Sequence, residues 1–340
     1  MWIFLLIVSL IRCTSSFIIG AAIIPHGDFA YDPSLVNFEN GSVELHNASM
    51  AVGDWIMNDM KPDLIFLTTP HGMALDTDFL IYENDQESGY AEVGGDLHND
   101  SFPSYRVGLN ITTNAHLATT LTEILRSKND DDHNNVSGIL GFADGVPLPI
   151  SWGEIMPIKY LQNAMKSDDS NDTNNPLSET LPEFIVFSMP LRRYNDSVQM
   201  KQELLDKGRD IWNVLNDENI TGKLRIFVIV SADLAHTHTA DVMPYGNCSC
   251  AEPYDEAIGQ WIETMDETYL LEKASHEQDV GAMSCGYTGF VLLQGMFDAS
   301  SYDDDNGERM ERDVHKMWRS QLLANHHPTY YGMAVGNFTR

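Results

Sequence analysis

Four short runs of apolar, β-branched and aromatic residues recur along the chain without polar alternation. They cover Phe17–Ile24, Leu64–Thr68, Phe184–Met189 and Leu224–Ser231. Strands that are covered on both faces have this pattern, so each run is predicted to be an interior strand.

Apolar residues also recur at helical spacing between and after these strands. The predicted helices are Ala51–Met60, Ala115–Arg126, Val198–Leu215, Ala257–Thr264 and Arg309–Leu323. Strands that alternate with helices predict an α/β fold, with a mainly parallel central sheet flanked by helices on both sides.

Stretches rich in Asp, Asn, Ser and Gly interrupt this pattern and are predicted to be polar surface insertions. They are Glu83–Ser101, Ser127–Ser137, Lys166–Thr180 and Ala299–Glu308. None of them separates two apolar cores, so residues 17–340 are expected to form a single domain.

The amino-terminal residues 1–16 have the pattern of a signal peptide, with an apolar run followed by Thr14, Ser15 and Ser16. The run is too short to span a bilayer as a helix. The alternatives are a buried strand or an uncleaved anchor at Trp2–Ile11, and such an anchor would be the only expected membrane attachment.

Acceptor sequences for N-glycosylation are more frequent than chance predicts. They lie at Asn40, Asn47, Asn99, Asn110, Asn135, Asn171, Asn195, Asn219, Asn247 and Asn337. Together with the signal peptide, they predict a glycoprotein that is secreted or lies in the lumen of the secretory pathway.

The charge balance excludes nucleic-acid binding as an expected function. The chain has 50 acidic and 20 basic side chains, and its formal charge of −30 would repel phosphate backbones and anionic membranes.

The cysteines leave several arrangements open. Removal of the signal peptide would take Cys13 and leave Cys248, Cys250 and Cys285. One allowed arrangement is a disulfide between Cys285 and one of the other two, which would leave one free thiol. A metal site of all three is the less favoured alternative, because Cys-x-Cys spacing suits a closed zinc site poorly.

Two of the predicted strands run into the same tripeptide, Pro-His-Gly, which places His26 and His71 at strand ends. Ligand sites of parallel α/β sheets gather beyond the carboxyl ends of the strands. Proline stops the strand ladder and glycine allows a sharp turn, so both imidazoles are expected to lie at one rim. The late strand in "VIVSADLAHTHTA" brings Asp233, His236 and His238 to the same edge.

These motifs, with "YDEAI" at 254–258, "SCGYTGFVLLQGMF" at 284–297 and the terminal "YYGMAVGNF", resemble the catalytic subunit of the class III extradiol ring-cleavage dioxygenases and the related Memo family. The resemblance runs in order from about residue 18 to residue 338. It implies that His26 and His71 are ligands of a non-haem Fe(II), with zinc as an alternative metal. It also implies that His236 is the catalytic acid and base, with Asp233 as the residue that orients it.

The resemblance leaves the third ligand open among Glu277, Asp279 and Cys285. A carboxylate would complete the two-His-one-carboxylate set of Fe(II) oxygenases. Cys285 stands where the Memo family has a cysteine, and its thiolate would favour a softer metal. The alternative roles are a solvated helix end for Glu277 and Asp279, and a small buried apolar residue for Cys285.

The predicted function is therefore an extradiol dioxygenase that opens a catechol-like aromatic ring with O2. A secreted Memo-like metal-binding or interaction protein without ring cleavage is the second hypothesis, and a metal-dependent hydrolase is the third. Members of the family often associate, so a homo-oligomer is allowed. The loop 141–157, with Pro147, Pro149 and Trp152, is predicted to line the pocket for the aromatic substrate.

Overall fold

The computed structural model describes residues 18–31, 33, 41–94, 104–128, 136–141, 145–167, 180–240, 243–303, 310–311 and 314–340. The predicted signal peptide and most of the predicted insertions lie outside these residues. So do the acceptors Asn40, Asn99, Asn135 and Asn171.

The main sheet has eight strands among the described residues, in the spatial order β12-β13-β1-β9-β2-β8-β3-β6. Their bounds are β1 Ile18–Ile24, β2 Leu64–Thr69, β3 Phe79–Tyr82, β6 Val136–Ile139, β8 Glu183–Ser188, β9 Ile226–Ser231, β12 Arg319–His326 and β13 Met333–Thr339. The α/β fold with a mainly parallel central sheet is therefore confirmed.

The centre of this sheet is parallel, and its four strands β1, β9, β2 and β8 are neighbours. All four predicted strands are correct to within two residues at either end. Because parallel neighbours end at the same edge, the loops after β1, β2, β8 and β9 all leave the sheet on one side.

The outer strands reverse direction. β13 pairs antiparallel with β1, and Ala21 lies opposite Phe338, so the two ends of the described chain meet in one sheet. β3 pairs antiparallel with β8 at the other side, and β12 pairs antiparallel with β13 at the edge.

A second, three-stranded sheet consists of β4 (Gln86–Gly94), β5 (Ser104–Thr112) and β7 (Leu148–Ile150). The predicted polar insertion Glu83–Ser101 is therefore partly ordered, because β4 lies within it. Ala91 and Val93 of β4 are buried, so this polar stretch orders by covering the main body with one face of a hairpin.

Helices cover both faces of the main sheet. The longer ones are α2 (Gly41–Asp54), α3 (Ala115–Ser127), α4 (Trp152–Ser167), α6 (Lys201–Leu215), α8 (Ala251–Thr264) and α10 (Tyr287–Ser300). The predicted helices that correspond to α3, α6 and α8 are confirmed. α2 begins ten residues before the predicted helix Ala51–Met60. After Asp54 the chain continues as a π-helical turn at Trp55–Met60.

Two apolar layers lie on opposite faces of the sheet, because successive strand residues point to opposite sides. Phe66 and Val228 contribute to the layer that contains α6, α8 and α10. Ile65 and Phe227 contribute to the layer that contains α2 and α4.

The predicted helix Arg309–Leu323 is wrong. This segment forms a short strand at Met310–Glu311, one helical turn at Val314–Met317 and the beginning of β12. β12 is an edge strand that is half-exposed, and its backbone pairs with β13. The pairing with β13 determines the strand conformation of this segment, and the local spacing of apolar residues does not indicate such a long-range pairing.

No helix among the described residues is long and apolar enough to cross a membrane. The acceptors Asn47, Asn110, Asn195, Asn219 and Asn247 are exposed. Asn337 is half-buried in β13.

Candidate metal centre

Side chains from the ends of β1 and β2 meet Cys285 at the edge of the sheet where the parallel strands end. One ligand atom of each of His26, His71 and Cys285 lies within 4.8 Å of the other two. The two imidazole rings stand edge to face, with their centroids 4.8 Å apart, and Cys285 Sγ lies 3.4 Å from His26 Nε2. The expected meeting of the two Pro-His-Gly histidines is therefore observed.

Glu277 and Asp279 are not part of this group. Asp279 is exposed, and Glu277 lines a separate surface cavity of about 480 Å³ with Glu256 and Lys273. Both carboxylates lie on helical turns between Ser275 and Ala282 that precede the loop to Cys285. The backbone turns at Gly281 and Met283, so only Cys285 reaches the histidines.

The side chain of Asp233 makes its closest described contacts with His26, although one of its oxygens also lies within 4.8 Å of a ring nitrogen of His236 and of Cys285 Sγ. Its Oδ1 accepts hydrogen bonds from the backbone N–H groups of His26 and Gly27, at 3.2 and 3.3 Å. Its Oδ2 lies 3.2 Å from His26 Nε2. No direct hydrogen bond between Asp233 and His236 is present among the described residues. Nδ1 of His236 donates to the carbonyl oxygen of Leu234, at 2.9 Å.

Ser231 fixes the tautomer of His26. The Ser231 hydroxyl donates its single proton to the Gly153 carbonyl, so its oxygen accepts from Nδ1–H of His26, at 3.0 Å. The lone pair of His26 is then on Nε2, which faces the carboxylate of Asp233 and the sulfur of Cys285. Sequence analysis missed Ser231, although it is the polar residue that ends a buried strand at this edge.

Burial acts against charge on these groups. It lowers the pKa of His26 well below its ordinary value, with further lowering by His71, His236 and Arg193. It lowers the pKa of His71 to about 3 and raises the pKa of Asp233 to about 8. The contact between His26 and Asp233 has the distance of an ion pair, yet desolvation opposes charging either partner.

These observations fit a bound cation. Two neutral imidazoles, the carboxyl group of Asp233 and the thiol of Cys285 converge here. The ring proton of His26 lies on Nδ1 and is donated to Ser231, so the lone pair of Nε2 can bind a cation. Burial raises the pKa of the Cys285 thiol, and so does the adjacent Asp233. A metal ion would stabilise the thiolate directly, and imidazole with thiolate is a donor set that zinc, copper and iron accept.

The turn at each Pro-His-Gly depends on glycine for space. A Cβ at Gly27 would clash with the ring of Tyr331, and a Cβ at Gly72 would clash with Tyr82 and Glu154. Neither glycine has a positive φ. The backbone bends at Pro70–Met73 as expected, and the glycines are required for close packing against neighbouring side chains rather than for a left-handed conformation.

Aromatic side chains surround a cavity of about 220 Å³ next to the metal centre, lined by His26, His71, Asp233 and His236. Its aromatic lining residues are Trp152, Tyr245, Tyr330 and Tyr331. His236 stacks on Tyr331 with a centroid distance of 5.4 Å, and burial lowers the pKa of His236 to about 4.

The prediction that the segment 141–157 contributes to the pocket holds for Trp152, which begins α4 and contacts His71 edge to face at 5.3 Å. Pro147 and Pro149 are not among the residues that line this cavity. Pro149 lies in β7, whose alternate residues Leu148 and Ile150 are buried.

The disulfide does not include Cys285. Cys248 and Cys250 are bonded to each other, and Cys285 is the free thiol among the described residues. A bond to Cys285 would remove it from the histidine cluster.

His238 lies outside the metal centre, although it follows the same strand as His236. Its Nε2 lies 2.8 Å from Asp255, and its ring stacks in parallel on His327 at 4.0 Å. Glu252 completes another group of potential ligands with His238 and His327. Nε2 of His238 is paired with Asp255 and Nε2 of His327 lies 3.0 Å from Glu252, so both nitrogens already have carboxylate partners.

No protein-family model matches this chain, and no curated protein matches its sequence significantly.

Proposed function

We propose that this chain is a metal-dependent oxidoreductase that binds a small aromatic molecule beside a transition metal held by His26, His71 and Cys285. The observation that carries the proposal is the convergence of these three ligand atoms within 4.8 Å, next to an aromatic cavity. Ring opening of a catechol-like substrate by O2, with Fe(II) as the metal, is the reaction that we test first.

His236 would act as the acid and base. Its Nδ1–H is fixed by Leu234, which leaves Nε2 as the proton acceptor. Its lowered pKa keeps the ring neutral at physiological pH, so it can take a phenolic proton and later return it. A positioned group of this kind contributes about 10²–10⁴-fold to a rate.

The aromatic residues would select the substrate. A cavity of about 220 Å³ suits a single substituted ring, since drug-sized ligands occupy about 300 Å³ or more. Tyr331 and Trp152 line it, and aromatic pairs contribute about 0.5–1.5 kcal/mol each.

Asp233 would position His26 and the backbone of its turn, because one carboxylate oxygen holds two N–H groups and the other faces Nε2. When bound, Fe(II) would supply the exchange of electrons between an aromatic ligand and O2 that the side chains cannot supply.

The test is the metal content of the full chain, purified without oxygen and reloaded with Fe(II), followed by oxygen uptake across a panel of catechols. We expect uptake that is coupled to a coloured ring-opened product. His236→Ala should retain the metal and lose turnover. His276→Ala changes an exposed histidine on the separate surface cavity and should leave both unchanged.

The second candidate function is a metal-binding protein of the Memo type that does not cleave rings. Cys285 favours it, because a thiolate replaces the carboxylate of the two-His-one-carboxylate oxygenases. Tightly held zinc or copper, with no oxygen uptake on any catechol, would support this candidate over the oxidoreductase.

A further inference from the structure

A second cavity, of about 60 Å³, adjoins the metal centre on the side of Arg193. It shares His71, His236 and Tyr245 with the aromatic cavity, and Cys285 also lines it. No Asp or Glu is among its described lining residues, although the chain has 50 acidic residues. Its volume is about twice the share of one water molecule in the liquid, which suits a group of a few atoms.

Arg193 is buried in the wall of this cavity, and no carboxylate is among the described residues that line the cavity with it. It is 5% exposed, its Nη1 donates to the Pro190 carbonyl at 2.9 Å, and its guanidinium lies over the Tyr194 ring at 4.0 Å. Its buried Nε has no hydrogen-bond partner among the described residues. Burial of a cation without an anionic partner costs free energy of desolvation, so this guanidinium favours the binding of an anion in the cavity.

Two hydroxyl groups line the same cavity with protons to donate. Thr288 Oγ1 is buried, and it has no partner in the described part of the chain. Ser197 Oγ accepts a hydrogen bond from Gln278 at 3.1 Å, which leaves its own proton available. Arg193, Thr288 and Ser197 therefore offer N–H and O–H donors around one small space.

Arg193 also lies close to the proposed metal, because it lines the small cavity together with His71 and Cys285. An anion in this cavity would therefore lie beside both the guanidinium and two of the proposed metal ligands.

We propose that Arg193, Thr288 and Ser197 form a binding site for a carboxylate next to the metal centre, an inference that rests on the proposed function. A carboxylate has two acceptor oxygens that match the forked donors of a guanidinium. It would come either from a small free acid or from a carboxyl substituent on the aromatic ligand in the adjoining cavity.

Metal and carboxylate would then strengthen each other's binding. Binding coupling is reciprocal, so a carboxylate that tightens metal binding by some factor is itself held more tightly by the same factor. We expect formate to tighten the binding of Co(II) by about tenfold, within the usual range of coupling between sites.

The experiment has one readout with metal and one without. Co(II) is titrated into the full chain with and without formate and followed by its thiolate absorption. In the metal-free protein, the ¹⁵N signal of Arg193 Nε is followed during a formate titration and assigned by its loss in Arg193→Met. Thr288→Val keeps the shape of the side chain and removes the hydroxyl. Arg192→Met is the matched control, because it removes a neighbouring guanidinium that is paired with Glu203.

Formate should shift the Arg193 signal and tighten Co(II) binding in the wild type and in Arg192→Met, and Thr288→Val should weaken both effects. If 4-hydroxybenzoate binds more tightly than phenol and competes with formate, the carboxylate is a substituent of the ligand. If formate acts and the two phenols bind equally, it is a free acid.

No shift of the Arg193 signal at high formate concentration, with unchanged Co(II) affinity, would overturn the carboxylate site. Failure of the wild type to bind Co(II) at all would instead overturn the proposed function. In that case the Arg193 signal in the metal-free protein still decides the carboxylate site.

Discussion

Nε2 of His26 lies 3.2 Å from Oδ2 of Asp233, although the two residues are 207 positions apart in the chain. β1 and β9 are parallel neighbours, so their carboxyl ends bring these residues to the same edge. The contact aims the lone pair of His26 at a carboxylate and a thiol. It is the arrangement from which the metal centre is inferred.

Cys285→Ser should weaken metal binding, because it replaces a thiolate donor with a hydroxyl. Loss of an outer partner of a metal ligand costs about 10–100-fold in affinity, and loss of a direct ligand should cost at least as much. Equilibrium dialysis with zinc measures the change. Glu277→Gln and Asp279→Asn are the controls, and a loss of affinity in either of them with none in Cys285→Ser would contradict the assignment.

Ser231→Ala should weaken metal binding by about 10–100-fold while all direct ligands remain, because it frees Nδ1 of His26 and releases the tautomer. Ser188→Ala is a matched control. Ser188 is also a buried serine that ends a parallel strand at this edge, but its hydroxyl has no partner among the described residues. Equal affinity in the two variants would show that Ser231 does not orient His26.

Gly153→Ala should displace His71. A Cβ at this position would lie 2.6 Å from Thr69 Oγ1 and 2.9 Å from His71 Cβ, and overpacking of this kind costs about 1–3 kcal/mol. We expect lower stability in urea unfolding and weaker zinc binding. At Gly108 an added Cβ meets its nearest described neighbour at 3.8 Å, so Gly108→Ala should leave zinc affinity unchanged.

Glu87 should make the protein less stable as pH rises. Burial raises its pKa to about 8, and its Oε2 has no partner among the described residues. Glu87 ionises in the unfolded chain near pH 4, so unfolding releases a proton between that pH and about pH 8. Its contribution is therefore complete below pH 4 and declines by up to about 1.4 kcal/mol per pH unit above it.

Urea unfolding at several pH values measures this decline. Glu87→Gln retains an acceptor for the Thr113 hydroxyl and should flatten the decline between pH 5 and about pH 8. Glu123→Gln, on the exposed side of α3, should leave it as in the wild type. A slope that is identical in all three proteins would contradict the protonated Glu87.

Trp152→Ala should weaken binding of an aromatic ligand more than it affects folding. The side chain is 51% exposed, so its removal should change stability by about 0.5 kcal/mol or less. Its ring contacts His71 at the cavity, and we expect a higher Michaelis constant for any catechol that the enzyme accepts. Loss of stability with an unchanged Michaelis constant would remove Trp152 from the site.

The sequence by itself determined the central strands, because residues such as Phe66 and Val228 lie in runs that are apolar on both faces. It also determined that Pro-His-Gly twice places a histidine at a strand end, since proline cannot donate a hydrogen bond to the ladder of an interior strand. The order of the parallel strands does not follow from local pattern. It is the tertiary structure that sets β9 between β1 and β2, and thereby His26 beside Asp233.

Which of the three candidate ligands lies beside the histidines was likewise decided only by the tertiary structure. Glu277, Asp279 and Cys285 lie within nine positions of one another, and the pattern cannot tell which of them the turn at Gly281 and Met283 directs inward. Arg193 was missed because its significance depends on β8 ending at the same edge as β2. Sequence periodicity reports which face of an element is buried, whereas a site depends on which distant elements become neighbours.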